Sequence, residues 1–72
     1  MKEKLLELLE TRPFIPFTIV TSAGEKHEVR YPTNLAVGKH FATLVDPETD
    51  RHQHIYLLHI TNFEVANLTK PL

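Results

Sequence analysis

The chain has 72 residues, eight basic and nine acidic side chains for a formal net charge of −1, and no cysteine. One domain of this length buries only about 60% of the surface that its unfolded form exposes, so a metal ion or a second subunit is a candidate supplement to its core. The absence of cysteine excludes a disulfide framework and a cysteine zinc site, and the near-neutral charge disfavours RNA and other nucleic acids, whose non-specific binding depends on Lys and Arg.

The apolar runs are a few residues long, far shorter than the about 20 residues that cross a bilayer. Acidic residues also interrupt the N-terminal segment, where a signal peptide needs a continuous apolar stretch. We therefore expect no membrane association and a cytoplasmic location.

The first predicted element is an amphipathic helix over residues 2–11, with Leu5, Leu8 and Leu9 on one face and the charged residues on the other. A helix of about three turns is marginal by itself in water. Its leucines therefore need a partner surface, either within the fold or on another subunit, and Leu5 and Leu8 are candidate interaction residues.

The segment RPFIPF, residues 12–17, contains a Pro-x-x-P sequence, which is typical of ligands that dock as a polyproline helix. The residues between and after the prolines, however, share a large apolar side chain: Phe14, Ile15 and Phe17. Such residues are typical of a core, and each proline disfavours helical backbone in the residue before it. The segment therefore predicts a crossover over residues 12–16 that leads Phe17 into the core.

The apolar pattern changes to a period of two at Phe17, which indicates antiparallel strands. Residues 17–21 alternate, a turn around Gly24 follows, and residues 26–31 alternate again with charged residues on one face. Gly24 is predicted to take the positive φ that such a turn favours. These two strands are predicted to form a hairpin.

The second half of the chain predicts further strands. A bend at Gly38 precedes a strand over residues 39–45, and a polar loop over residues 46–53 precedes a strand over residues 54–60. Residues 61–65 are a candidate short fifth strand.

Together these elements predict a single domain over residues 1–72 that is mainly β (α+β). An N-terminal amphipathic helix precedes a four- to five-stranded, bent antiparallel sheet over residues 17–66 that closes toward a small barrel. The tail, residues 67–72, has little pattern and is expected to fray.

The chain resembles a group of short bacterial proteins of uncharacterised function, whose pattern is RPF-x-PF-x-I, an Asp-Gly turn, Val-x-x-Pro and Val-Gly. The matching positions are Arg12 to Ile19, Gly24, Val29, Pro32, Val37 and Gly38. Ala23 stands where that pattern usually has Asp, and Tyr31 where it often has His. The resemblance implies a fold and a bacterial origin, and it implies no activity.

In architecture, a helix ahead of a bent sheet also resembles the SH3-like and Sm-like small barrels. Sm-like proteins assemble into rings through their edge strands and bind RNA at the pore. This analogy implies an RNA-binding oligomeric ring as an alternative function, with Asn34, His59 and Asn62 as candidate RNA contacts.

A candidate metal site lies in the polar segment that follows residue 45. Its acidic residues and histidines alternate, which puts them on one side of an extended chain: Asp46, Glu48, Asp50, His52 and His54. His52 and His54 with Asp50 are the candidate ligands for a divalent ion. The alternative interpretation is a solvated hairpin loop.

No catalytic motif is evident. The single serine, Ser22, lies in a predicted turn, and neither glycine belongs to a phosphate-binding loop, so we expect neither an enzyme nor a cofactor. His59 is predicted to be half-buried in its strand, while His27 and His40 are predicted to be exposed on theirs.

The function that these features favour is a protein-interaction or self-assembly module. A thin core and the apolar stretch IYLLHI indicate that an open strand edge or an apolar face pairs with another chain. Tyr56 and Leu58, together with Leu5 and Leu8, are the candidate contacts, and the expected partner is a second copy or another protein.

Overall fold

The computed structural model describes residues 2–65 of the chain. Its regular elements are α1 (Lys2–Glu10), β1 (Phe17–Thr21), β2 (Lys26–Val29), β3 (Leu35–Val37), β4 (Phe41–Asp46), β5 (Arg51–Tyr56) and β6 (Ile60–Val65). Short 3-10 helices over Pro32–Asn34 and Leu57–His59 precede β3 and β6. The predicted tail, residues 67–72, lies outside the described residues.

The strands form two three-stranded antiparallel sheets with the orders β2-β1-β6 and β3-β4-β5. The prediction of a mainly β domain with one N-terminal helix is confirmed. The described residues do not form one sheet of four or five strands that closes into a barrel. One reason is that Pro32 has no N–H to donate to a ladder, and the 3-10 helix that contains it separates β2 from β3.

The two sheets and α1 share one core, in which Leu5, Phe17, Ile19 and Val29 are the largest fully buried side chains. Leu8 and Leu9 are half-buried and pack against that core. The structure thus corrects the prediction of Leu5 as an interaction residue, because the fold itself supplies the partner surface for the helix leucines.

Phe14 of the crossover and Phe17 at the start of β1 pack into the core. The Phe17 side chain is 1% exposed, and its ring centroid lies 6.0 Å from those of both Phe14 and Phe63. The Arg12 guanidinium donates a hydrogen bond of 2.9 Å to the Leu9 carbonyl oxygen at the end of α1. The prediction of RPFIPF as architecture that plugs the core with Phe17 is confirmed.

The hairpin of β1 and β2 also follows the prediction. Gly24 has a φ of 84°, and its N–H donates a hydrogen bond of 2.9 Å to the Thr21 carbonyl oxygen. The left-handed region that this φ occupies is one that glycine enters without steric cost.

The hairpin of β4 and β5 is longer than predicted. Asp46 and Arg51 are already opposite each other in the register, so β5 begins at Arg51 and not at residue 54. The turn is closed by a hydrogen bond of 2.7 Å from the Asp50 N–H to the Asp46 carbonyl oxygen, with Asp50 at a φ of 62°. The start of β5 is polar and exposed on both faces, which made it look like loop in the sequence.

The predicted strand over residues 54–60 is interrupted. β5 ends at Tyr56, and the backbone of the 3-10 helix Leu57–His59 bonds to two loops: the Leu57 N–H donates to the His40 oxygen at 2.9 Å, and the His59 oxygen accepts from the Ser22 N–H at 2.7 Å. Ile60 then starts β6, which contains the candidate fifth strand. No helix among residues 2–65 is long and apolar enough to cross a membrane.

Candidate functional site

The long sheet edges of the described fold are β5 and β6, with six residues each. β5 has β4 on one side and no strand on the other. The edge strands β2 and β3 have four and three residues, and β2 carries Lys26 and Glu28. Short and charged edges are the usual protection against pairing with another chain. At six residues, β5 is a long edge, and the only charged residue of fixed sign on it is Arg51 at its start.

Two adjoining depressions lie between the hairpin of β1 and β2 and the hairpin of β4 and β5. Their volumes are about 380 Å³ and about 840 Å³, and both are lined by Glu25, His27 and Gln53. The two sheets are therefore open to each other along this side, with β5 forming one wall.

The smaller depression is rich in polar side chains. It extends from Thr21 and Ser22 to Tyr56 and His59. His27 Nε2 lies 3.4 Å from Glu25 Oε1. Across residues 2–65, every buried side-chain nitrogen or oxygen has a hydrogen-bond partner. No orphaned polar atom in the described part of the chain therefore marks a preformed ligand pocket.

A continuous series of ring contacts, which we call the ring row, follows the exposed face of β4 and β5 and ends on the 3-10 helix after β5: His52, His54, Phe41, Tyr56 and His59. Successive ring centroids are 5.7 Å, 5.5 Å, 5.8 Å and 5.6 Å apart. All five residues are exposed. Phe41 and Tyr56 are partners in the strand register and meet edge to face at an interplanar angle of 85°.

The candidate metal ligands do not converge. His52 and His54 are neighbours in the ring row, whereas Asp50 lies in the turn before β5. Within the described range 2–65, no three His, Asp or Glu side chains are placed to share a metal ion. Asp46 instead accepts a hydrogen bond of 2.9 Å from the Glu48 N–H through Oδ1, as in the alternative interpretation of a hairpin turn.

The candidate protein contacts divide into two pairs. Leu5 and Leu8 belong to the core side of α1. Tyr56 is exposed at the end of β5, and the neighbouring Leu58 is 93% exposed. Leu5 is fully buried and Leu8 half-buried, so Tyr56 and Leu58 are the more accessible pair.

The candidate RNA contacts are not gathered in one depression. Asn34 is half-buried and lines the larger depression, while His59 lines the smaller one. Asn62 is exposed on β6, where its Oδ1 accepts a hydrogen bond of 2.8 Å from the Phe63 N–H. The pocket that the alternative function needs is therefore not formed by these three side chains in the described fold.

The histidine predictions were wrong for two residues. His59 is exposed, because the 3-10 helix turns it outward, and His27 is half-buried, because it lies on the core side of β2 next to Val29. His40 is exposed as predicted, although it precedes β4 and is not in a strand.

Two participants were missed by sequence reasoning. Phe41 is the ring row residue that contacts both His54 and Tyr56, and Gln53 is the β5 residue shared by both depressions. The alternation of residues in β4 and β5 indicates on which face Phe41 lies. Its contact with Tyr56, however, follows from the register in which the two strands pair, and no local pattern gives that register.

No protein family model, curated protein or solved structure shows a significant match to this chain.

Proposed function

We propose that the chain is a self-assembling interaction module in which the free edge of β5 pairs with a strand of a second copy. The observation that supports this most is that β5, six residues long, has one strand neighbour and forms a wall of both depressions. An added strand gains main-chain hydrogen bonds from such an edge, and depressions along it accept side chains.

The strand that fits this edge is β6 of the second copy. It is the other six-residue edge strand of the described fold. It carries Glu64 and no basic residue, whereas β5 carries Arg51 and two histidines. Glu64 lies 3.5 Å from Lys26 in an exposed ion pair, which contributes little and is easily exchanged. The two edges are therefore complementary in charge.

Apolar contact at the end of β5 adds to the edge pairing. Leu58 is 93% exposed, and covering a side chain of this size contributes about 1.5–3 kcal/mol. Tyr56, two residues earlier in the chain, is also exposed and offers a large, stiff ring. An assembly that covers these two residues removes from water Leu58, the most exposed large apolar side chain of the described residues.

Pairing between two different edges is head-to-tail. It closes into a ring where the rotation between copies permits, and otherwise continues as a filament. As part of this proposal, the two sheets and the helix are a small SH3-like or Sm-like barrel that is open beside β5. Its support is the arrangement of two sheets and a helix around one core. A closed assembly of five or more subunits would favour the Sm-like form.

The test is the absolute mass of the purified chain in solution, measured by light scattering from micromolar to millimolar concentration. We expect the wild type to assemble and Gln53→Lys to remain monomeric, because a charge placed on the free edge opposes strand addition. Thr33→Lys is the matched control, since it adds the same charge at an exposed residue of the 3-10 helix Pro32–Asn34 that lies outside β5 and lines neither depression.

A wild type that stays monomeric over the whole range would overturn self-assembly. Equal masses for Gln53→Lys and Thr33→Lys in an assembling protein would overturn the assignment to the β5 edge.

A further inference from the structure

The first two rings of the ring row, His52 and His54, are both imidazoles. They lie two positions apart on β5, so the alternation of a strand puts them on the same face. Their ring centroids are 5.7 Å apart. In each of the other successive pairs of the row, at least one ring is a phenylalanine or a tyrosine. Two side chains that bind transition metals are therefore neighbours at this end of the row.

The spacing of these two rings is that of two ligands of one ion. Imidazole nitrogens bind Zn²⁺ at about 2.0–2.1 Å, and two imidazoles in tetrahedral positions then have ring centroids about 5.3 Å apart. The observed separation of 5.7 Å is close to this value. Both side chains are exposed, and exposed side chains rotate rapidly. A small rotation of the two rings brings them to the separation that an ion requires.

The ring nitrogens of the pair are not occupied by other side chains. Within residues 2–65, neither His52 nor His54 makes a side-chain hydrogen bond or an ion pair, whereas Nε2 of His27 lies 3.4 Å from the Glu25 carboxylate. A metal ion therefore does not have to displace a protein contact at the pair.

The face of the sheet that carries the pair has no basic residue of β4 or β5. Strand alternation puts Arg51 on the opposite face of β5, where Asp46 is its register partner. The register partners of the two histidines are Thr43 and Val45, which are uncharged. These two strands therefore place no cation beside the pair that would repel a metal ion.

We infer that His52 and His54 form an open binding site for a divalent transition-metal ion of the class that favours imidazole, which includes Zn²⁺, Ni²⁺ and Cu²⁺. No third His, Asp or Glu among residues 2–65 is placed to join them. The other coordination positions of the ion are therefore open to water or to a donor atom of another molecule, unlike those of a closed structural zinc site. The inference does not rest on self-assembly, because both ligands belong to one chain.

The probe is ZnCl₂, titrated by calorimetry into the purified chain without an affinity tag, in a non-chelating buffer at about pH 7.5, where imidazole is neutral. NiCl₂ is a second arm, and MgCl₂ is the negative arm because Mg²⁺ prefers oxygen ligands. We expect saturable binding of Zn²⁺ and of Ni²⁺, with no heat of binding for Mg²⁺.

His52→Ala and His54→Ala should each weaken Zn²⁺ binding by about tenfold or more, because the remaining imidazole has lost the second ligand held near the ion. His40→Ala is the matched control, since His40 is also exposed but is not part of the pair. In nuclear magnetic resonance spectra of the wild type, Zn²⁺ should shift the imidazole nitrogens of His52 and His54 and leave those of His27 in place. Melting temperatures without metal show that the variants are folded.

Three results would overturn the inference. One is the absence of saturable Zn²⁺ and Ni²⁺ binding by the folded wild type. Another is an equal loss of affinity in His40→Ala and His52→Ala, which would place the ion elsewhere. The last is Zn²⁺ binding by an assembled wild type that disappears in the monomeric variant Gln53→Lys, since a second copy would then supply an essential ligand. A wild type that stays monomeric and binds Zn²⁺ through the pair would support this inference while overturning self-assembly.

Discussion

The Gly38 N–H donates a hydrogen bond of 2.8 Å to the carbonyl oxygen of Phe41, and a Cβ added to Gly38 would lie 3.0 Å from that same oxygen. This close approach turns β3 into β4 and brings Phe41 opposite Tyr56. The glycine is needed here for space between two backbone segments.

Gly38→Ala is therefore expected to destabilise the domain by about 1 kcal/mol or more, the cost of overpacking against an atom that cannot rotate away. The measurement is urea unfolding followed by circular dichroism. Lys39→Ala, one position further and exposed, is the control. Identical midpoints for the two variants would contradict the steric account.

Gly24 is needed for a different reason. Its φ is 84°, and a Cβ added there would meet no atom within 4 Å. Gly24→Ala should lower the free energy of unfolding by about 1–2 kcal/mol, the cost of left-handed backbone in an L-residue. Gly24→Asn should cost less, since asparagine tolerates this region. If both variants unfold like the wild type, the turn does not hold Gly24 at positive φ.

Phe17→Ala is expected to cost about 3 kcal/mol or more, because the ring is fully buried at the meeting point of α1 and the first sheet. Phe41→Ala is the comparison, since its ring is 41% exposed and should cost about 1 kcal/mol, the value of an aromatic pair. Thermal unfolding distinguishes them. An unchanged melting temperature for Phe17→Ala would contradict the architectural role of RPFIPF.

Leu57 and Leu58 are adjacent but have opposite environments, with exposed fractions of 9% and 93%. Leu57→Ser should destabilise the fold, because it leaves a cavity and buries a hydroxyl. Leu58→Ser should leave the melting temperature of the dilute protein unchanged and weaken assembly at high concentration. Calorimetry and light scattering on the same samples give both readouts, and a loss of stability in Leu58→Ser would mean that its side chain is covered within one copy.

Assembly at the edge of β5 should respond little to salt. Backbone pairing at β5 and burial of Leu58 involve few charged groups, so screening by salt should change their free energy little. Light scattering over a series of sodium chloride concentrations is the test. Assembly that dissociates steeply as salt rises would indicate that ionic contacts dominate it.

Patterns of a few neighbouring residues in the sequence were enough to predict the helix, the first strand and the first turn. The leucine period of α1, the alternation from Phe17, and the turn at Gly24 each depend on a few neighbouring residues, and the structure has all three. The strand over residues 54–60 was predicted from the same kind of pattern and was interrupted at Leu57. Its backbone bonds instead to His40 and Ser22, which are distant in the sequence.

The residues of the candidate site could be found only from the pairing of the strands, whereas the helix and the first hairpin could be found from local sequence patterns. Tyr56 and Leu58 were named from their apolar character, but their exposure follows from where β5 ends. Phe41 joins the ring row because its register partner is Tyr56, and no local pattern contains that register.

The sequence alone determined that this chain has one amphipathic helix, a proline-defined crossover, a Gly24 hairpin and a core built on Phe17, because each is specified by periodicity or by a residue with restricted or unusual backbone preferences. The tertiary structure decided that the strands divide into two sheets, that β5 is a free edge and that five rings form one continuous series of contacts. These depend on which distant backbone groups pair, and hydrogen bonding between segments far apart in sequence is decided by the packing of the whole chain.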